Sequence, residues 1–220
     1  MTVPVAIAAV IAALGAFLLA VRALQARGWV GPEAGRKLVH AGMGLIALSF
    51  PWIFADSRPI WILTVLAIVL LGAVRLVPAL TLRFGKVLGG VSRASLGEVF
   101  FPLGVAIAFT LAQRQAAAFC GAVGVLALGD TAGALVGTRW GRRRYVVFGH
   151  TKSLEGSAAV WAVSFACIAA ASVWLGPPMG LAGLARALLN GGVAAVAEAV
   201  LPYGLDNLVL PVLVVILMRH

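Results

Sequence analysis

Apolar residues in this chain fall in long, nearly unbroken runs, not in the alternation of a half-buried strand or the stripe of a soluble amphipathic helix. The runs extend roughly over Val3 to Val21, Leu38 to Phe54, Ile60 to Leu80, Val99 to Leu111, Ala116 to Val136, Ala158 to Leu175, Leu181 to Val200 and Leu205 to Met218. A helix needs about 20 apolar residues to cross a bilayer. Several runs approach that length; the fourth and the last fall short. Their Ala, Leu, Gly and Val content, with internal Gly and Pro, suits helices and not an outer-membrane barrel. The pattern predicts an all-α, polytopic integral membrane bundle of about seven or eight transmembrane helices, the short ones tilted, broken or re-entrant. No repeat, low-complexity tail or linker marks a second domain, so residues 1–220 are read as one unit.

Composition strengthens the membrane assignment. Hydrophobic residues make up 62% of the chain and charged ones 11%, with a mean hydropathy of +1.07, far from a soluble globular domain. The first run lacks the basic leader of a cleavable signal and is followed by Arg22, so it is expected to stay as a span. Cys120 and Cys167 lie within runs and are read as packing thiols.

A net charge of +10 invites a nucleic-acid reading, but the placement of the basic residues argues against it. Arg22, Arg27, Arg36 and Lys37 follow the first run; Arg75, Arg83, Lys86 and Arg93 follow the third; Arg139, Arg142, Arg143, Arg144 and Lys152 follow the fifth. Alternate loops thus carry 13 of the 17 basic residues. The positive-inside rule puts those loops in the cytoplasm and the N-terminus outside. A nucleic-acid partner would want a soluble basic module with aromatic platforms, and none is present.

Charge within a span is costly, so the seven acids are informative. With this topology Glu98, Asp130, Glu155, Glu198 and Asp206 gather at the cytoplasmic face. Beside Asp130, Gly129, Gly133, Gly137 and Gly141 recur every four residues and form one smooth stripe on a helix. Such a stripe serves close helix packing, within the bundle or between copies in an oligomer, or the approach of backbone to a polar ligand. Arg142, Arg143 and Arg144 are adequately explained as a stop-transfer cluster, but the continuation HTKSLEGS from His150 is not. Lysine, small hydroxyls, an acid and a glycine are what phosphoryl transfer requires: cations on phosphate oxygens, carboxylates for Mg²⁺ and an acid near the nucleophile. No Walker A loop or protein-kinase motif is present. His40 is read either as a packing or capping group or as a phosphate contact or base.

The order Asp130, Gly137, Gly141, then Thr151-Lys152-Ser153-Leu154-Glu155-Gly156, resembles the DxxAxxxGxxxG…KxTxEG segment of the CTP-dependent polyprenol and lipid-alcohol kinases, the dolichol kinase and phytol kinase family. RKLVHAG from Arg36, GEVFFPLG from Gly97 and AEAVLPYGLDNLVLP from Ala197 extend the resemblance over most of the chain. Gly133 stands where the family pattern has alanine, and Thr151 where it has a lysine. The resemblance implies a membrane kinase that moves a phosphoryl group from a nucleoside triphosphate, typically CTP, to an isoprenoid alcohol or diacylglycerol. On that basis Asp130, Asp206 and Glu198 are the expected Mg²⁺ ligands. Arg36, Lys37, Arg139, Arg142, Arg143, Lys152 and Ser153 are expected at phosphates, and Asn207 at metal or base. Gly133, Gly137, Gly141 and Gly156 are expected to let backbone come close. Asp130, Lys152, Glu155 and His40 are the catalytic candidates, Glu155 as a metal ligand or as the residue orienting the loop. Phosphatidate cytidylyltransferase is the nearest alternative, but its KD pair and DRxD tail are missing; an ion-coupled transporter ranks below it.

Overall fold

The computed structural model describes residues 2–77 and 96–219. The end of the third run, with Arg83, Lys86 and Arg93, lies outside the described residues, as does His220.

Each of the apolar runs becomes helical over its described residues. Helix α1 spans Val3–Ala26. Helix α2, Pro32–Ala47, starts with proline in its first turn, where a missing N–H costs nothing, and is followed by the single turn α3, Phe50–Ile53. Helix α4 spans Arg58–Leu76 and α5 Gly97–Ala112. The fifth run forms one continuous rod, Ala116–Trp140, made of α6 (Ala116–Gly124), a π-helical segment (Val125–Gly129) and α7 (Asp130–Trp140). Helices α8 (Leu154–Leu175), α9 (Leu181–Val200) and α10 (Asp206–Met218) complete the bundle.

Five helices, α1, α4, the Ala116–Trp140 rod, α8 and α9, are long and apolar enough to cross a membrane, while α5 and α10 are shorter apolar helices. The chain is an integral membrane protein. The rod is its centre: 56% of its apolar window is buried, against 11% for α1. Phe119, Leu126, Ile168, Leu210 and Val214 are fully enclosed around it. Leu19, Val69, Leu70 and Val193 point outward, an arrangement that is stable when the outer solvent is lipid.

Two sequence expectations change here. The segment after Trp140 was expected to be loop, yet β1 (Arg144–Val147) and β2 (His150–Ser153) pair as an antiparallel hairpin. Its turn is Phe148-Gly149, both at positive φ (+46° and +79°), the twist that a two-residue hairpin favours. The sixth run also begins earlier than its apolar residues suggest. Ser153 Oγ accepts a hydrogen bond from Gly156 N (3.1 Å) and caps α8, so Glu155 and Gly156 belong to the helix.

Candidate functional site

Three carboxylates from three segments meet at one end of the bundle: Asp130 opens α7, Glu198 lies near the end of α9 and Asp206 opens α10. One oxygen from each lies within 4.8 Å of the others. Three acidic oxygens this close, two of them largely buried, form a hard donor set that suits a divalent cation such as Mg²⁺. Asp130 and Glu198 each hold a lysine. Lys37, from α2, places Nζ 2.7 Å from Asp130 Oδ2, with side chains 8% and 16% exposed. Lys152, from β2, places Nζ 2.6 Å from Glu198 Oε1 and also donates to the Glu198 main-chain carbonyl. Among the described residues no cation pairs with Asp206.

The π-helical segment ends immediately before Asp130. A π turn widens the helix and disturbs the carbonyl ladder, and such turns recur at functional sites. Here Leu126 O accepts a hydrogen bond from His40 Nε2 (2.9 Å), and the same nitrogen lies 3.7 Å from Asp130 Oδ2. The imidazole is buried and packs edge-on against Phe101 at 5.0 Å. His40 is therefore a packed, hydrogen-bonded neighbour of the carboxylates, with Nε2 acting as a donor.

A cavity of about 290 Å³ opens between α7, the hairpin and the first turn of α8. Asp130 and Glu198 line it, together with Gly133, Gly137, Lys152, Ser153 and Gly156. The start of the 22-residue α8 borders it, and the positive end of a helix dipole favours anions there. Sequence reasoning left Arg144 as one of three stop-transfer arginines, yet Arg144 lines the cavity, as do Thr138, Thr151 and Ser157. The missing signal was the strand register: Arg144 pairs with Ser153, so the two share one face of the hairpin.

Other candidates are turned to different work. Arg142 and Arg143 are exposed and absent from the cavity wall, and their backbone N–H groups are bound by the Glu155 carboxylate at 3.1–3.3 Å. Glu155 thus orients the loop. Arg139 stacks its guanidinium over Trp140 (5.3 Å). Arg36 pairs with Glu33 at 2.6 Å. Asn207 Nδ2 donates to Gly97 O (3.0 Å), tying α10 to α5.

The glycine stripe meets α8. A Cβ at Gly133 would lie 2.5 Å from Val160 Cγ2, one at Gly137 3.1 Å from Ser153 Oγ, and one at Gly129 3.3 Å from Ser164 Oγ. Intramolecular packing occupies the surface that was also considered for oligomer contacts, while Gly133 and Gly137 still face the cavity at their own level.

Fold and site together define a class: a helical membrane protein with a carboxylate cluster, paired lysines and an anion-attracting helix end around one cavity. The sequence narrows it further. It is 32% identical over 219 residues to the phytol kinase of Synechocystis sp., covering 96% of this chain and 90% of that protein. The chain belongs to the phytol kinase family. No protein-family model matches it, and no solved structure does.

Proposed function

We propose that the protein is a membrane kinase that transfers the terminal phosphoryl group of a nucleoside triphosphate, CTP being the expected donor, to the hydroxyl of a prenyl alcohol of the phytol or polyprenol type. The observation that carries this reading is the meeting of Asp130, Glu198 and Asp206 within 4.8 Å, the first two lining a cavity that the start of α8 also borders. The name of the Synechocystis relative supports a prenyl-alcohol acceptor.

Phosphoryl transfer is mostly positioning and charge neutralisation. A Mg²⁺ ion on the three carboxylates would neutralise charge on the phosphate oxygens. Lys152 and Arg144 hold those oxygens, helped by the positive potential at the start of α8. The acceptor hydroxyl reaches the cluster from the bilayer. Its oxygen forms the new P–O bond as the bond to the leaving diphosphate breaks, and its proton passes to a carboxylate of the cluster. The distribution of basic loops supports a cytoplasmic position for this end of the bundle, where nucleotide is available.

The test is purified protein in lipid or detergent with Mg²⁺, labelled CTP, ATP or UTP, and phytol, polyprenol or diacylglycerol. Phosphorylated prenyl alcohol, formed fastest with CTP, is expected. CDP-lipid would replace the kinase with a cytidylyltransferase, and no labelled lipid with any nucleotide would sink the proposal.

A further inference from the structure

The carboxylate cluster already holds cations of its own. Lys37 and Lys152 come from elements far apart in sequence, and each lays its ammonium on a different member of the trio, at 2.7 and 2.6 Å. Both partners are largely buried: side-chain exposure is 8% and 16% in the first pair, 24% and 11% in the second. Ammonium groups at such depth need an anionic partner. A divalent ion arriving at the same oxygens would meet two positive charges at contact range and would take away the lysines' counter-charge.

We propose that Lys37 and Lys152 act as exchangeable stand-ins for the divalent cation: they hold the empty carboxylate cluster together and move to phosphate oxygens only when metal and polyphosphate arrive together. The inference rests on the cluster being a metal site, as in the proposed function. The positions allow the exchange. Lys152 and Glu198 both border the cavity where the α8 N-terminus would draw a polyphosphate, and Asp130, the partner of Lys37, lies on the same wall. Lys152 has two acceptors on Glu198, carboxylate and main-chain carbonyl, so it can release the carboxylate and keep the carbonyl as it turns. Asp206, unpaired among the described residues, is the oxygen donor open to a first approach by metal. The consequence is ordered charge balance: metal alone binds poorly, anion alone binds poorly, and each strengthens the other by the same factor.

The experiment measures binding and needs no turnover. Full-length protein in lipid nanodiscs is titrated with Mn²⁺ by electron paramagnetic resonance, and retention of labelled CTP is followed by equilibrium dialysis with and without Mn²⁺. The wild type should retain CTP at least about tenfold more tightly with Mn²⁺ than without. Lys37→Met and Lys152→Met should each bind Mn²⁺ alone about tenfold more tightly than the wild type, with the CTP–Mn²⁺ cooperativity reduced. Folding is checked by thermal unfolding; if Lys37→Met does not fold, the more exposed Lys152→Met decides. Variants that bind Mn²⁺ alone no tighter than the wild type, while the wild type binds Mn²⁺ with CTP, would overturn the exchange and leave the metal site standing. Absence of Mn²⁺ binding under every condition would remove both.

Discussion

At the scale of single residues, the informative side chains are the ones whose burial requires a partner. Asp130 could be singled out in the sequence because a carboxylate inside an apolar run is expensive. Its partner could not: Lys37 is 93 positions away and lies beside Arg36 in what reads equally well as a topology signal. Glu155 had two readings. The sequence left it as a metal ligand or the residue orienting the loop, and its carboxylate binds the N–H groups of Arg142 and Arg143, fixing the entry to the hairpin. Asp130→Asn keeps the side-chain shape but removes the charge on which Lys37 and the proposed metal both depend. Turnover in the lipid-kinase assay should fall by at least about 10²–10⁴-fold, with the protein still inserted. Stability should drop by up to about 3 kcal/mol, because Lys37 is left buried without its counter-ion. Near-normal turnover would take Asp130 out of the site.

At the scale of elements, the contact between α7 and α8 decides whether the cavity exists. The four-residue glycine period of α7 was visible in the sequence, and so was its double meaning as packing surface or ligand approach. Packing answers most of it, since Val160 and Ser153 occupy the space that side chains at Gly133 and Gly137 would need. Gly156, on the α8 side of the contact, gives a direct test. A Cβ there would lie 2.9 Å from Gly133 O, 3.0 Å from Ser153 Oγ and 3.2 Å from Gly137 Cα, two of the three being backbone. Gly156→Ala should cost about 1–3 kcal/mol by overpacking and push the α8 cap away from the cavity. Thermal unfolding reads the first effect, and a raised KM for nucleotide reads the second. An unchanged midpoint with an unchanged KM would mean the helices part without consequence. The hairpin was the harder element to foresee: four-residue strands carry little periodicity, and Phe148 occupies a positive-φ position where glycine or asparagine is expected.

At the scale of the whole molecule, the bilayer is the organising solvent. The positive-inside rule predicts that the alternate basic loops face the cytoplasm, and a cysteine introduced as Arg143→Cys, on the exposed approach to the hairpin, tests that orientation directly. It should resist an impermeant thiol reagent in intact cells and react after permeabilisation; labelling in intact cells would invert the bundle and place the cavity outside. By itself the sequence determined the class: an apolar chain must bury its backbone hydrogen bonds within helices, so every run found in the sequence reappears as a helix over the described residues. It also determined that polar chemistry concentrates around Asp130 to Ser157 and Ala197 to Asn207. Only the tertiary structure decided which polar groups meet. Helix propensity and hydropathy are local, whereas the carboxylate cluster is closed by α2, α7, β2, α9 and α10 packing against one another, and whether an arginine faces a cavity or a tryptophan depends on register and rotation that no local pattern encodes.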